Sequence, residues 1–284
     1  MKNRTRLILL AAVLLSLIPV TYFVNRDTTV SDDEKLQRAV REDHAFLEGK
    51  IPVVTVRPTT APAGYRNDYH FRADFFLWNI PVWDAALAEF KGKPDVQYLE
   101  VGVFEGRSAL WIIDNILTHP TSHFTGIDPF IDVPGFEGFK DVFLANLNLS
   151  GAQGRSTIVT GFSQIELRKL PLESYDIIYI DGSHEADDVL EDAVLSHRLL
   201  KKGGVLIFDD YLWQLEGASN VRPKPAIDVF YAFFKDDYDV VHNGYQLLLK
   251  KKSGGGGGAA TRPTDWMPQP ATAPAQKSDS QPRR

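Results

Sequence analysis

Five short β-rich runs, separated by segments with helical spacing, limit the folds open to this chain more than any other feature. They lie at residues 97–102, 123–128, 156–161, 175–182 and 203–210. Strands that alternate with helices favour right-handed crossovers and a mainly parallel sheet that helices cover on both faces. The alternation therefore predicts an α/β fold with a doubly wound sheet.

Two further segments complete this prediction. Residues 185–200 carry apolar side chains at i, i+3, i+4 spacing, with acids in the first turn and Gly203-Gly204 after the end, which predicts an amphipathic helix. Residues 238–251 contain Asn243-Gly244 between two β-like runs, a strong hairpin signal. The sheet is therefore expected to have seven strands and to end in an antiparallel hairpin.

Carboxylates recur where the predicted strands end. Asp128, Asp181, Asp209 and Asp210 each fall at the C-terminal end of a β-rich run, and Glu100 lies near the end of the first run. In an open α/β sheet, these strand ends line the crevice in which ligands bind. The spacing predicts a ligand site with several acids at one edge of the sheet.

The first β-rich run passes into a helix through a glycine-containing turn. Gly102 and Gly106 enclose Phe104 and Glu105, and glycine lets a backbone bend sharply and approach a ligand closely. The pattern lacks the third glycine of the G-x-G-x-x-G dinucleotide fingerprint, which disfavours an NAD-dependent oxidoreductase. The acids of the turn suit a cationic ligand better than a pyrophosphate.

Asp128 narrows the choice of ligand. It ends the second β-rich run, 28 residues after Glu100, where a carboxylate can accept hydrogen bonds from two ribose hydroxyls. A nucleoside that carries positive charge and lacks phosphate fits both features. S-adenosylmethionine has these properties.

Several motifs in the same order resemble those of one enzyme family. They are EVGVFEGRSA (100–109), GIDP (126–129), GFSQ (161–164), YIDGSH (179–184) and IFDDY (207–211). Over residues 76–252 the chain resembles class I S-adenosylmethionine-dependent methyltransferases of the methyltransferase family 24 type. It is similar both to catechol O-methyltransferase and to metal-dependent sugar O-methyltransferases, and the terminal hairpin belongs to the same Rossmann-like methyltransferase fold.

The resemblance implies a role for each matching position. The implied cofactor-binding residues are Glu100, Gly102, Phe104, Gly106, Ser108, Asp128, Phe162, Ser163 and Gln164. The implied metal ligands are Asp181, Asp209 and Asp210. His184 stands where the catechol enzymes carry a catalytic lysine, and Asp210 where they carry an asparagine, so the site is closer to that of the sugar-methylating relatives.

These residue types suit a metal-assisted O-methylation. Carboxylates are hard ligands for Mg²⁺ or a similar divalent cation, which can orient a hydroxyl and lower its pKa. His184 is a candidate general base, since histidine titrates near neutral pH, and Asp181 is implied as the second catalytic residue. The sequence predicts methyl transfer to a hydroxyl of a small molecule or glycosyl group. The alternative is a non-catalytic module at the membrane that binds S-adenosylmethionine or another nucleoside.

The two ends of the chain differ from the middle. Residues 7–24 are 18 residues without a charge, preceded by Lys2, Arg4 and Arg6, which is long enough for a transmembrane helix. A cleaved signal peptide is the alternative, but no A-x-A-like site follows. We expect a membrane anchor at 1–28, a stalk at 29–69, the methyltransferase domain at 70–252 and a flexible Gly/Pro-rich tail at 253–284.

Composition excludes several other functions. The chain has 31 basic and 37 acidic residues, a net charge of −6, which gives no sign of a nucleic-acid surface. It has no cysteine, which rules out thiol catalysis and cysteine-bound zinc. The cofactor's usual location favours a cytoplasmic catalytic domain on the membrane anchor. The sequence leaves the methyl acceptor and the oligomeric state open.

Overall fold

A computed structural model describes residues 66, 68–213 and 222–254 of the chain. The strands are Gln97–Val101 (β1), His123–Asp128 (β2), Ser156–Thr160 (β3), Tyr175–Ile180 (β4), Leu200–Phe208 (β5), Tyr238–Asn243 (β6) and Leu247–Lys251 (β7). The helices are Ile80–Ala86 (α1), Arg107–Asn115 (α2), Phe139–Ser150 (α3), Ser163–Glu166 (α4), Ala186–Leu199 (α5) and Lys224–Phe234 (α6). Short 3-10 turns lie at Leu77–Asn79, Ala88–Phe90, Gln153–Arg155, Leu167–Lys169 and Lys235–Asp237.

The strands form one mixed sheet in the order β3-β2-β1-β4-β5-β7-β6. The first five are parallel, and β7 runs antiparallel to both β5 and β6. The strand order reverses between β1 and β4, which is the switch point where open α/β sheets bind ligands. The predicted seven-stranded, doubly wound sheet with a terminal hairpin is confirmed.

Both faces of the sheet are buried, so the central strands read as continuous apolar runs. On one face Tyr98 and Ile207 pack with Trp83 of α1 and Trp111 of α2. On the other face Val101, Ile180 and Phe208 pack with side chains of α5 and α6, such as Val189 and Phe230. The helices therefore hold the sheet rigid from both sides and leave its carboxyl edge for the loops.

The boundary between α5 and β5 differs from the prediction. The helix ends at Leu199, and β5 already begins at Leu200, whereas the sequence predicted a strand from residue 203. Gly203 does not stop the helix: it lies inside β5 at a φ of +80°, where the pairing of β5 with β4 shifts register. Such a conformation is open to glycine at little energetic cost.

The terminal hairpin returns the chain to the carboxyl edge of the sheet. Leu247 pairs with Phe208, the last residue of β5, and with Asn243, the last residue of β6. The turn between β6 and β7 therefore lies beside the C-terminal ends of the parallel strands. This placement brings Tyr245 and Gln246 to the same edge as the predicted acids.

Within the described ranges, no helix is long and apolar enough to cross a membrane. The predicted anchor at 7–24 and most of the predicted stalk and tail lie outside the described residues. The last residues of the predicted stalk do pack on the domain, because the Tyr69 hydroxyl donates to Asp114 of α2 over 2.8 Å. The packed region thus begins before residue 70.

Candidate active site

The parallel strands deliver their last residues to one edge in register. The backbone N–H of Gly102 donates to the Ile127 carbonyl over 2.9 Å, and that of Asp181 to the Val101 carbonyl over 2.8 Å. The N–H of Asp209 donates to the Ile180 carbonyl over 3.0 Å, so each ladder extends one residue beyond its strand. The ends of β1, β2, β4 and β5 therefore meet at one edge, as the sequence predicted.

Gly102 occupies a position that no side chain could fill. Its φ is +83°, and a Cβ built on it would lie 1.9 Å from the Asp181 carbonyl oxygen and 2.7 Å from the Gly182 Cα. The sequence predicted that this glycine permits close approach to a ligand. In the structure the group that lies close to Gly102 is the backbone of Asp181 and Gly182, at the end of β4. Gly102 therefore allows the turn after β1 to pack directly against the neighbouring strand.

Asp128 holds the same turn from the β2 side. Its Oδ2 accepts hydrogen bonds from the N–H groups of Val103, at 2.8 Å, and Phe104, at 3.0 Å. Its Oδ1 accepts one from the Phe130 N–H at 2.6 Å. Phe104 has a φ of +52°, a strained value for a side chain other than glycine, and Asp128 stabilises it there. Each carboxylate oxygen can accept more than one hydrogen bond, so the ribose role stays a prediction.

Glu100 is predicted to contact the cofactor, but it lies inside the sheet's packed face. It is fully buried, and it pairs with Tyr179 of β4 in the sheet register. The Ser108 hydroxyl donates to its Oε1 over 2.5 Å and the Tyr98 hydroxyl to its Oε2 over 2.8 Å. Burial raises the pKa of Glu100 to about 8. Glu100 therefore fixes the first turn of α2 from below instead of lining the crevice.

Glu105 is also satisfied by the protein itself. Its buried carboxylate accepts hydrogen bonds from the backbone N–H of Arg72, over 2.8 Å, and from its Nε, over 2.5 Å. The Arg72 guanidinium donates in addition to the carbonyls of Phe136 and Glu137. The acids of the turn thus do not select a cationic ligand, which corrects that step of the sequence argument.

The remaining predicted cofactor residues lie around this turn. Gly106 has a φ of +78°, and a Cβ on it would come within 2.2 Å of the Phe143 ring. The Phe104 ring packs against those of Phe136 and Phe139 at 5.2 and 5.1 Å between centroids. At the end of β3, the structure leaves Phe162 46% exposed, with Ser163 and Gln164 beside it half-buried.

A second group of polar side chains lies at the ends of β4 and β5. Among the described residues, Asp181, His184 and Asp210 bring one donor atom each within 4.8 Å of one another. His184 Nε2 lies 2.7 Å from Asp210 Oδ2. These three residues form what we call the rim triad. Two of its members were predicted as metal ligands and the third as a base.

Asp209, the third predicted metal ligand, is not part of the rim triad. It is 8% exposed, and its Oδ2 accepts a hydrogen bond from the Tyr179 hydroxyl over 2.6 Å. Its Oδ1 accepts bonds from Gln246 Nε2, at 3.0 Å, and from the Asp210 N–H, at 2.9 Å. Both oxygens of Asp209 thus accept hydrogen bonds from neighbouring groups, and its role as a metal ligand stays a prediction.

The charges of this group are unbalanced. Burial raises the pKa of Asp181 well above its ordinary value, and the negative charges of Asp209 and Asp210 raise it further. Burial and the charge of Asp210 raise the pKa of Asp209 to about 7. Burial acts to lower the pKa of His184, but the hydrogen bond that His184 donates to Asp210 and the negative charge of that carboxylate outweigh burial and raise this pKa. One imidazole thus faces three carboxylates.

This imbalance and the donor atoms fit a divalent cation. Two carboxylates and an imidazole are a common ligand set for such ions, and a bound cation would relieve the repulsion among the acids. The imidazole suits Fe²⁺ or Zn²⁺ better than the Mg²⁺ that the sequence predicted. His184 Nδ1 is buried without a hydrogen-bond partner among the described residues.

Sequence reasoning missed several residues of the site. Tyr245 donates to Asp210 Oδ1 over 2.5 Å, and Gln246 binds Asp209 as described above. Tyr179 also donates to Asp181 Oδ2 over 2.9 Å. The sequence does contain a signal for Tyr179: it lies two residues before Asp181, so the two side chains lie on the same face of the strand. The hairpin turn was predicted, but not its place at the carboxyl edge.

A small pocket opens over the rim triad. Its other lining residues include Ser183, Val189 and Pro223. The centroid of the Trp213 ring lies 4.6 Å from that of the His184 ring. Residues 214–221, which follow Trp213, lie outside the described part of the chain.

Part of the chain is similar to known proteins. Residues 99–211 match a family model described as a methyltransferase domain. A viral protein, uncharacterized protein R132 of Acanthamoeba polyphaga mimivirus, is 32% identical over 130 residues, which are 44% of this chain and 56% of that protein. The chain thus matches little more than half the length of this relative.

Solved structures share the architecture. A Corynebacterium glutamicum protein is 16% identical with a TM-score of 0.50, over 79% of this chain and 92% of that one. The O-methyltransferase TomG from Streptomyces achromogenes, solved in complex with S-adenosylmethionine, is 16% identical with a TM-score of 0.47, over 86% of this chain and 96% of its own. The similarity to the Corynebacterium glutamicum protein, at a TM-score of 0.50, shows a common fold. The family match supports the predicted resemblance to methyltransferases over residues 99–211.

The burial of Glu100 predicts a pH-dependent stability. Its pKa is about 8 in the folded protein and near 4.5 in an unfolded chain, so the folded state keeps a proton that the unfolded chain releases. The free energy of unfolding should therefore fall between about pH 5 and pH 8, by ~3 kcal/mol in order of magnitude. Urea unfolding of the wild type and of Glu100→Gln across this range measures the effect.

In Glu100→Gln that part of the pH dependence should disappear. The matched control is Glu89→Gln, which removes an equal charge from an exposed side chain. If the difference in unfolding free energy between wild type and Glu100→Gln stays constant from pH 5 to pH 8, Glu100 is not held protonated in the fold.

Proposed function

We propose that this protein is an S-adenosylmethionine-dependent O-methyltransferase whose acceptor hydroxyl binds at the rim triad. One observation carries the proposal. The Gly102 turn and the rim triad lie on neighbouring strands at the switch point of the sheet, and Gly102 touches the backbone of Asp181. A methyl donor bound at the turn and an acceptor bound at the triad would therefore be adjacent.

The donor side is assigned along the carboxyl edge. The adenine would lie near Phe162, Ser163 and Gln164 at the end of β3, and the ribose near Asp128 at the end of β2. The methionine part would lie beside the Gly102 turn, close to the acids at the end of β4. These carboxyl groups outnumber the one imidazole beside them, and their ionised forms would favour the positive charge of a sulfonium.

The acceptor side needs alignment and removal of one proton. Methyl transfer is an in-line displacement, so the protein's main task is to hold the hydroxyl oxygen opposite the sulfur. His184 and Asp181 both line the pocket, so in their deprotonated forms, and without a bound cation, they are the candidate proton acceptors. A divalent cation held by Asp181, His184 and Asp210 would supply Lewis-acid activation of the hydroxyl when bound.

Asp209 has a supporting role in this proposal. It fixes Tyr179 and Gln246, and Gln246 Oε1 in turn accepts from Trp83 Nε1 of α1 over 2.7 Å. This chain of hydrogen bonds joins the rim to the packed layer of helices. Outer-shell partners of this kind orient metal ligands and tune their basicity.

Activity measurements test the proposal. Full-length protein with S-adenosylmethionine and a panel of phenols and sugars should release S-adenosylhomocysteine with at least one acceptor. Asp181→Asn and His184→Gln should each lower turnover by roughly 10² or more, and EDTA should lower it reversibly, while the affinity for S-adenosylhomocysteine, whose sulfur is uncharged, changes little. The expected cause of the lower turnover is the loss of a charged group at the rim triad. Loss of a charged group elsewhere on the protein should leave turnover unchanged.

Asp239→Asn is the matched control for these variants. Asp239 pairs with Lys250 toward the other end of β6, away from the carboxyl edge, and its side chain is 69% exposed. Its turnover should equal that of the wild type. Rim variants with full activity would overturn the site, and cofactor binding without turnover on any acceptor would favour the non-catalytic module.

We also propose the division 1–28, 29–69, 70–252 and 253–284, with residues 7–24 as a membrane anchor and a cytoplasmic catalytic domain. The support is the uncharged run of 18 residues behind Lys2, Arg4 and Arg6. Such an anchor would give the catalytic domain access to substrates near the membrane surface. A chain lacking residues 1–28 should move from the membrane fraction to the supernatant, and its retention in the membrane fraction would exclude the anchor.

A further inference from the structure

Asp192 is a buried acid that the proposed chemistry does not use. It lies on α5, is 1% exposed, and its Oδ2 accepts a hydrogen bond from the Ser163 hydroxyl over 3.0 Å. Its Oδ1 is buried and has no hydrogen-bond partner within the described ranges. A buried carboxylate oxygen without a partner is destabilising, so its presence calls for a functional explanation.

The position of Asp192 links two loops of the carboxyl edge. Ser163 is the first residue of α4, directly after the end of β3. Gly182 follows the end of β4, and a Cβ built on it would lie 3.2 Å from Val101 of β1 and 3.9 Å from Asp192 Oδ2. The carboxylate therefore lies below the crevice, between the switch point and the end at which we place the adenine.

Asp192 has no cationic partner among the ion pairs of the described residues. Burial raises its pKa to about 7, with smaller contributions from the charges of Asp188 and Glu191 on the same helix. Its one hydrogen bond is to Ser163. Among the described residues, the Ser163 hydroxyl is therefore the one group that the Asp192 carboxylate orients by a hydrogen bond.

We propose that Asp192 is a positioning residue for recognition of the nucleobase. Asp192 accepts the hydroxyl hydrogen of Ser163. The Ser163 Oγ would therefore present its lone pairs, and not its hydrogen, to the crevice. An oxygen so oriented accepts a hydrogen bond from an exocyclic amino group and repels an exocyclic carbonyl. The inference rests on the proposed function and deepens it: Asp192 makes the site select a 6-aminopurine over a 6-oxopurine.

Binding of two nucleosides to the full-length protein tests this. S-adenosylhomocysteine and S-inosylhomocysteine differ in the 6-amino and 6-oxo groups and in N1, which is an acceptor in adenine and an N–H donor in hypoxanthine. The ratio of their dissociation constants, compared between wild type and variants, is the readout. In the wild type the adenosyl compound should bind roughly tenfold or more tightly, the usual effect of one mismatched hydrogen bond. In Asp192→Ala and Ser163→Ala the ratio should fall to about threefold or less.

A purely structural role of Asp192 would weaken both compounds alike and leave the ratio unchanged. The double variant should show no smaller ratio than Ser163→Ala alone, because both residues act through one hydroxyl. Ser174→Ala, at an exposed serine just before β4, is the control and should keep the wild-type ratio.

The outcomes separate this inference from the function on which it rests. If the wild type binds neither compound, the proposed function is wrong and the inference falls with it. If the wild type prefers the adenosyl compound and both variants keep that preference, Asp192 does not position Ser163 for recognition, while the function stands. If Asp192→Ala does not fold, an unchanged ratio in Ser163→Ala alone overturns the inference.

Discussion

The close contact between the turn after β1 and the backbone at the end of β4 is the constraint on which the rest of the site depends. Neighbouring strands lie ~4.8 Å apart, and at Gly102 the two backbones approach too closely for any side chain. Asp128 binds the same turn from β2 through two of its N–H groups, those of Val103 and Phe104. The turn is thus held on both sides before any ligand binds, and such preorganisation favours binding and alignment.

The acids at this edge divide into two kinds. Glu100 and Glu105 are neutralised or fully hydrogen-bonded within the protein, and they maintain the shape of the turn and of α2. Asp181 and Asp209 are buried near like charges, which raises their pKa values and destabilises the folded state. Repulsion between buried acids at a pocket is typical of a functional site, because proteins keep such destabilising groups where binding or catalysis requires them.

Much of the fold could be predicted because it depends on local patterns. The β-rich runs, the α5 periodicity and the Asn243-Gly244 turn specified the strands and the terminal hairpin. The side-chain partners could not be predicted, because they depend on contacts across long sequence separations. Arg72 neutralises Glu105 from 33 residues away, and Gln246 engages Asp209 from 37 residues away. The grouping of His184, instead of Asp209, with Asp181 and Asp210 in the rim triad has the same origin, since the direction of a side chain at a strand end depends on its partners.

Binding of S-adenosylhomocysteine by isothermal titration tests the central claim most directly. We predict that the wild type and Gly154→Ala, where an added Cβ meets no atom within 4 Å, bind it equally and do not bind NADH. Gly102→Ala, checked for folding by circular dichroism, should lose at least roughly tenfold in affinity because its turn can no longer contact β4. Preferential binding of NADH, or a folded Gly102→Ala protein with unchanged affinity, would contradict the account.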